Sequence, residues 1–359
     1  MKDKNLHSIV CESDIESLRE IIKGNCNIDE INKSGETAVM LAVKMGSIKP
    51  LSILLKAGAS PNVEDKNGDT ALNHAIELME FESMKLLLKN NACPNHYNRK
   101  GITPMSQSVF SGSINFVRLL IKYNANINLQ DVGGHTPIMH AASRGDKKIV
   151  NLLINNKSDI KITDCLNNSA LILATLSGAF DIVKLLVKNK ININHKNNEG
   201  TSALLIAVGC RDKKISEFLL RNGADPNLSP EPFSLSPLIS SVRDDEYEIS
   251  KLLLRYKANP NVIDKKGSSS IIWSSYNGNT SITKLLLDYG ADPNMVNQSG
   301  TTALIAGAIS KVVDVVTLLL KNGADPSVTD DDGDNVYDIA RKSKNYELIG
   351  HLAKHSSNL

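Results

Sequence analysis

D-V-G-G-H-T-P-I-M-H-A-A-S-R-G-D-K-K-I-V-N-L-L-I-N-N-K-S-D-I-K-I-T, Asp131 to Thr163, is one complete unit of a pattern that recurs along the chain. It opens on the turn residues Asp131, Gly133 and Gly134, and Thr136 then stands before Pro137. A hydroxyl in that place accepts an orphan amide at the start of a helix, and proline at the first helical position gives up no needed donor. Ile138, Ala141 and Ala142 supply an apolar face of small residues, and Gly145 ends this first helix. A second helix carries Ile149, Val150, Leu152 and Leu153 at helical spacing. Two short helices with apolar residues on more than one side cannot bury them alone, so the unit needs a copy before it and a copy after it.

The copies are present. Glycines at the matching turn position are Gly35, Gly68, Gly101, Gly134, Gly200, Gly267, Gly300 and Gly333, set by a period of 33 residues. Asn167 takes the slot between Gly134 and Gly200, and Ser234 takes the next gap after a single inserted residue. Two residues further on stand Thr37, Thr70, Thr103, Thr136, Ser169, Ser202, Ser236, Ser269 and Thr302. Each is expected to cap a helix, a contact whose loss costs about 1 kcal/mol.

This period, the G-x-T-P/A-L opening and the two helices resemble the ankyrin repeat family over nearly the whole chain. The closing loops Gly58-Ala59, Gly223-Ala224-Asp225-Pro226-Asn227, Gly290-Ala291-Asp292-Pro293-Asn294 and Gly323-Ala324-Asp325-Pro326 carry the same resemblance. It implies a mainly α repeat solenoid, with β-hairpin/α-hairpin repeats stacked into a curved superhelix. The expected divisions are an N-terminal capping repeat over 1–31, nine repeats over 32–329 and a C-terminal capping repeat over 330–359, with no second domain. Alanine replaces the first-helix proline at Ala38, Ala71, Ala170, Ala203 and Ala303. The family's histidine after T-P-L gives way to Met40, Asn73 and Met139, which puts one inter-repeat hydrogen bond in question. Lys157 and Lys190 stand where glycine would relieve a left-handed backbone, at about 1 kcal/mol each. With Asn167 they make the segment 155–198 the expected weakest junction. The stretch L-S-P-E-P-F-S-L-S-P, Leu228 to Pro237, departs most from its siblings and is a candidate for function.

Composition narrows the function. An apolar content of 41% across 359 residues supports a substantial core, and 4% aromatics favours thin, regularly stacked helices. A net charge of +2 implies no strong field toward nucleic acid or a membrane. Cys11, Cys26, Cys93, Cys165 and Cys210 are scattered without paired spacing and read as free thiols of a reducing compartment. No apolar run reaches the length of a membrane span, so the expected location is cytoplasmic, with secretion into a host cell by a leaderless route left open.

No phosphate loop, nucleophile elbow or cysteine–histidine signature occurs, so no enzyme activity, cofactor or small-molecule substrate is expected. The acidic run Asp330, Asp331, Asp332 and Asp334 places its glycine at the fourth position, whereas an EF-hand loop needs it at the sixth. His135 and His140 fall on the turn and on the helix, with no cysteine or carboxylate read at ligand spacing, so no metal site is expected. Lys33, Lys66, Arg99, Lys100, Lys265 and Lys266 lie on turn tips without interleaved aromatics and read as a solvated edge, not a nucleic-acid track. The resemblance also implies a hydroxylation slot at Asn62, Asn227 and Asn294, shared by Asn95, Asn128, Asn194 and Asn261, where the competing role is to hold the turn.

What remains is surface recognition. The resemblance implies a partner protein bound in a concave groove lined by the turn tips and the exposed sides of the first helices. Groove slots include Phe110, Arg144, Arg243 and Tyr276. Phe233 on the unusual tip, Arg243, and Trp273 one turn from Tyr276 are expected to lie together as an aromatic and arginine anchor. The competing role for Trp273 is packing between repeats. A scaffold for a partner protein is therefore the first reading. Heavy use of Asn, Lys and Ile is typical of AT-rich genomes and supports a second, a host-directed effector or host-range factor of an intracellular pathogen. The final residues, Y-E-L-I-G-H-L-A-K-H-S-S-N-L, do not resemble the F-box-like tail of poxvirus ankyrin proteins.

Overall fold

The structure, a computed structural model, describes residues 5–229 and 235–356. It divides into two compact units at Cys165 and Leu166, inside the segment 155–198 singled out above. In the first unit the helices come in pairs: Leu6–Cys11 with Ile15–Lys23, Ala38–Lys44 with Ile48–Lys56, Ala71–Glu77 with Phe81–Lys89, Pro104–Phe110 with Ile114–Lys122, and Pro137–Ser143 with Lys147–Asn155. In the second they are Ala170–Leu176 with Phe180–Lys188, Ala203–Gly209 with Lys213–Arg221, Pro237–Arg243 with Tyr247–Arg255, Ser270–Tyr276 with Thr280–Asp288, Ala303–Ser310 with Val313–Lys321, and Val336–Lys342 with Tyr346–Ser356. Within each unit first helices pack on first helices of the next pair, and each first helix packs on its own second helix.

Small residues make that packing close. Ala42, Ala75, Ala141, Ala174 and Ala207 recur at one slot of the first helix, all fully buried, against leucines such as Leu54, Leu87, Leu153 and Leu186 of the second helices. Serine fills this slot at Ser241 and Ser274, where hydroxyls of the second helix answer it: Ser241 Oγ lies 2.8 Å from Ser250 Oγ, and Thr283 Oγ1 donates to Ser274 Oγ at 2.9 Å. Ser108 occupies the same slot, but its hydroxyl is buried without a hydrogen-bond partner. Ser108→Ala is therefore expected to raise stability by about 1 kcal/mol, read as a higher urea midpoint. An unchanged or lower midpoint would show that the hydroxyl is satisfied.

Eight of the nine expected hydroxyl caps form. Thr37, Thr103, Ser169, Ser202, Ser236 and Thr302 each accept the amide three residues on. Thr70 and Thr136 stand in capping boxes with Asn73 and Met139, and Thr70 also donates its hydroxyl to Asn73 Oδ1 at 2.8 Å. Ser269 corrects the sequence reading, its hydroxyl being buried without a partner. At Thr136 the backbone N–H faces the sulfur of Met139 at 3.4 Å. Asn73 also donates from Nδ2 to Gln107 Oε1 at 3.2 Å, so one inter-repeat bond is made without the family's histidine.

The turn tips are not strands. The described residues hold two isolated bridges, Lys196 with Ser202 and Ile263 with Ser269. Among the described residues, tips are instead wound around an aspartate or asparagine whose side-chain oxygen accepts the amides two and four residues on, as Asp65 does from Asn67 and Asp69, and Asn297 from Ser299 and Thr301. Successive tips are tied by backbone bonds, Arg99 N–H to Asn67 O at 3.0 Å and Gln298 N–H to Lys266 O at 2.9 Å. The close approach explains the glycine: a Cβ on Gly134 would lie 2.7 Å from the backbone nitrogen of Cys165, and its φ is +78°. Lys157, Asn167 and Lys190 adopt the left-handed backbone expected of them. Asn91, Asn124 and Lys257 do so as well, so this strain is spread along the chain and is not peculiar to the segment 155–198.

Candidate functional site

In the second unit, Arg243, Trp273 and Tyr276 come together as the sequence implies. Arg243 is the last residue of the helix Pro237–Arg243, and its guanidinium lies 5.0 Å from the centre of the Trp273 ring. Tyr276 closes the helix Ser270–Tyr276 and meets Trp273 edge-on, with ring centroids 6.4 Å apart. The indole N–H donates to Asp264 Oδ2 at 2.9 Å, while Asp264 Oδ1 accepts the amides of Lys266 and Ser268 at the tip. Trp273 is therefore half-buried and locked, and Tyr276 beside it is 54% exposed. Phe233, the remaining expected member of this anchor, lies outside the described residues.

Phe110 and Arg144 belong to the first unit. Phe110, 42% exposed, packs at a tilt of 50° against His140 with ring centroids 4.3 Å apart. Arg144 caps the helix Pro137–Ser143 and is exposed. Exposed apolar residues recur at the same helix ends: Met45 and Leu78 in the first unit, Leu176 and Ile309 in the second. Leu176 and Ile309 escaped the sequence reading, although adding the period of 33 to Ser143 and to Tyr276 reaches them. An open pocket of about 570 Å³ in the first unit is polar, lined by Lys44, Asp65, His74, Glu77 and Lys100 among others.

The Asp264 and Trp273 pair has relatives. His74 Nε2 donates to Asp65 Oδ2 at 3.1 Å, and His140 Nε2 donates to Asp131 Oδ2 at 2.8 Å. In all three cases the partners are nine residues apart, because the tip folds back over the first helix. The reading that no carboxylate stands at ligand spacing from His135 and His140 is corrected here. Asp131 Oδ1 also lies 3.3 Å from His135 Nδ1 and accepts the amides of Gly133 and His135. Burial works to raise the Asp131 carboxyl, but the His135 amide and then His140 more than offset it, holding it below the usual aspartate range. Burial holds the His140 imidazole below its ordinary value of 6.5, against the upward pull of Asp131.

A histidine whose folded pKa lies below the unfolded one adds stability that is complete above the unfolded value and is lost as pH falls through the folded one. Wild-type stability is expected to drop as pH falls below 6.5. His140→Gln is expected to flatten that drop in urea titrations, and an equal slope in both proteins would exclude His140 as its source.

The asparagines of the hydroxylation slot form a ladder. Each oxygen accepts an amide of the next closing loop: Cys93 N–H donates to Asn62, Asn259 N–H to Asn227 and Asp325 N–H to Asn294, at 2.7 to 2.8 Å. Each amide group donates in turn, Asn62 to Asn91 O, Asn227 to Lys257 O and Asn294 to Gly323 O. Asn95, Asn128, Asn194 and Asn261 accept in the same way. Likewise Asp330 Oδ1 accepts the amides of Asp332 and Asp334, so the acidic run winds its tip.

The family model described as ankyrin repeats (3 copies) matches residues 6–98, 81–164, 138–229 and 236–356. A stretch of 61 residues is 38% identical to an ankyrin repeat protein of Acanthamoeba polyphaga mimivirus, covering 16% of this chain and 10% of that protein. The chain thus matches only a tenth of that relative's length. The crystal structure of the ankyrin repeat domain of Bcl-3, described as a unique member of the IkappaB protein family, is similar with a TM-score of 0.57 and 25% identity, over 61% of this chain and 99% of that one.

Proposed function

Because the chain belongs to the ankyrin repeat family, whose repeats generally serve protein–protein interaction, we propose that it is a non-catalytic scaffold that binds a partner protein along the exposed ends of its first helices. Arg243, Trp273 and Tyr276 are the anchor of that surface. The observation that carries the reading is a rigid aromatic pair capped by an arginine: the indole is fixed by Asp264, so Tyr276 is presented at little entropic cost. Aromatic and arginine side chains dominate binding hot spots, and a pre-fixed one loses less freedom on binding. Ile309, on the first helix after that of Trp273 and Tyr276, adds an exposed apolar residue beside the anchor, and Leu176 repeats the position two first helices before Arg243. No helix among the described residues is long and apolar enough to cross a membrane.

Trp273 is the sole tryptophan of the chain, so its fluorescence reports on the anchor. A bound partner is expected to shift Trp273 emission, and the double substitution Arg243→Ala, Tyr276→Ala to weaken capture at least about tenfold with the far-UV spectrum intact. Capture at full strength with unchanged emission would place the partner elsewhere.

The local match to a mimivirus protein and the Asn, Lys and Ile usage support a second reading, a host-directed effector acting by binding host proteins. Its mark is a partner captured from host-cell extract and lost in the same double variant. Nucleic-acid binding would instead show an affinity that falls steeply with salt.

A further inference from the structure

The tip and helix around Asp131 hold more than the Asp–histidine pair that the fold requires. At the sibling tips a single ring N–H joins the backbone amides, His74 on Asp65 and Trp273 on Asp264. The residue four after the aspartate is there Asp69 or Ser268, and it accepts from the asparagine of the following tip, Asn98 or Asn297. At Asp131 this position is His135, and the following tip supplies Asp164, whose Oδ2 lies 3.4 Å from His135 Nε2. Two imidazoles therefore face two carboxylates within the first unit.

We propose that Asp131, His135 and His140 form a binding site for a divalent transition metal, zinc being the fitting ion, with Asp164 as the outer partner of His135. One ligand atom from each of the three residues lies within 4.8 Å of the others; His140 Nε2 is 2.8 Å from Asp131 Oδ2, and His135 Nδ1 is 3.3 Å from the other carboxylate oxygen, Oδ1. A tetrahedral zinc with bonds near 2.0 to 2.1 Å holds its ligands about 3.3 Å apart, so small side-chain rotations close the site. The ion takes the place of the His140 Nε2 proton, which leaves for solvent. His135 turns Nδ1 to the ion and keeps its proton on Nε2 toward Asp164, the carboxylate–histidine arrangement that fixes the tautomer of a metal-bound imidazole. Two imidazoles and a carboxylate are the donor set of zinc sites that leave a fourth position open. The side chains of His135 and His140 are 35% and 11% exposed, so an ion has access.

The test is titration of the full chain with Zn²⁺ by calorimetry, and with Co²⁺ by absorption. The expected results are one zinc site per chain and a tetrahedral cobalt d–d band free of thiolate charge transfer. His135→Ser copies the residue at the Ser268 tip and is expected to abolish both signals, while His74→Gln, at the other Asp–histidine pair, keeps them. Asp164→Asn, which copies Asn98 and Asn297, is expected to weaken zinc about 10- to 100-fold. Melting curves in chelator check that the variants fold. Absence of zinc binding in the wild type, or binding equal in wild type, His135→Ser and Asp164→Asn, would overturn the site.

Discussion

Trp273→Phe is expected to destabilise the chain by about 1.5 to 3 kcal/mol, although it conserves an aromatic ring, because it strips the buried Asp264 of its indole donor. Trp273→Ala also removes the surface under Arg243 and Tyr276, and is expected to cost about 3 kcal/mol or more. The diagnostic variant is Trp273→His. Histidine does this work at His74 and His140, nine residues after Asp65 and Asp131, so it should restore most of what phenylalanine loses. Urea denaturation followed by circular dichroism measures all three. If histidine proves no better than phenylalanine, the hydrogen bond to Asp264 is not what holds Trp273.

Asp131→Ala is expected to be the costliest change in the first unit. It leaves the amides of Gly133 and His135 and the ring N–H of His140 without their acceptor, a loss of about 3 kcal/mol. Asp131→Asn is expected to cost only about 1 kcal/mol, because an amide oxygen can wind the tip, as Asn98 does with the amides of Lys100 and Ile102. The two variants, compared by urea melts in chelator, separate the winding of the tip from the charge of the carboxylate. Equal losses would assign the whole effect to the charge.

Much of the stack was legible because its grammar recurs with the period. Glycine at the tip, hydroxyl two residues later and small residues on the first helix each answer a constraint that every repeat meets in the same place, such as the 2.7 Å approach to the next tip that Gly134 permits. What escaped depends on contacts made when the tip folds back. Asp131 stands four residues before His135 and nine before His140, and only the winding of the tip around its carboxylate brings the three together. By sequence Trp273 fits either an anchor or a packing residue; its N–H bond to Asp264 and the contacts of its ring with Arg243 and Tyr276 need the folded tip to be seen. Leu176 and Ile309 carry a sequence signal of their own, standing one period after Ser143 and Tyr276.

The asparagine ladder has a consequence for how such a chain can grow. The tie from Asn62 spans 31 residues to Cys93, whereas the tie from Asn227 spans 32 to Asn259, and its length stays at 2.7 to 2.8 Å. The tie from Asn227 thus closes across the residue inserted between Leu228 and Pro237. An insertion at a tip can leave this joint unchanged. A lineage carrying this fold can therefore remodel what it recognises by insertion as readily as by substitution, and duplication of a whole unit adds surface while reusing the same joints.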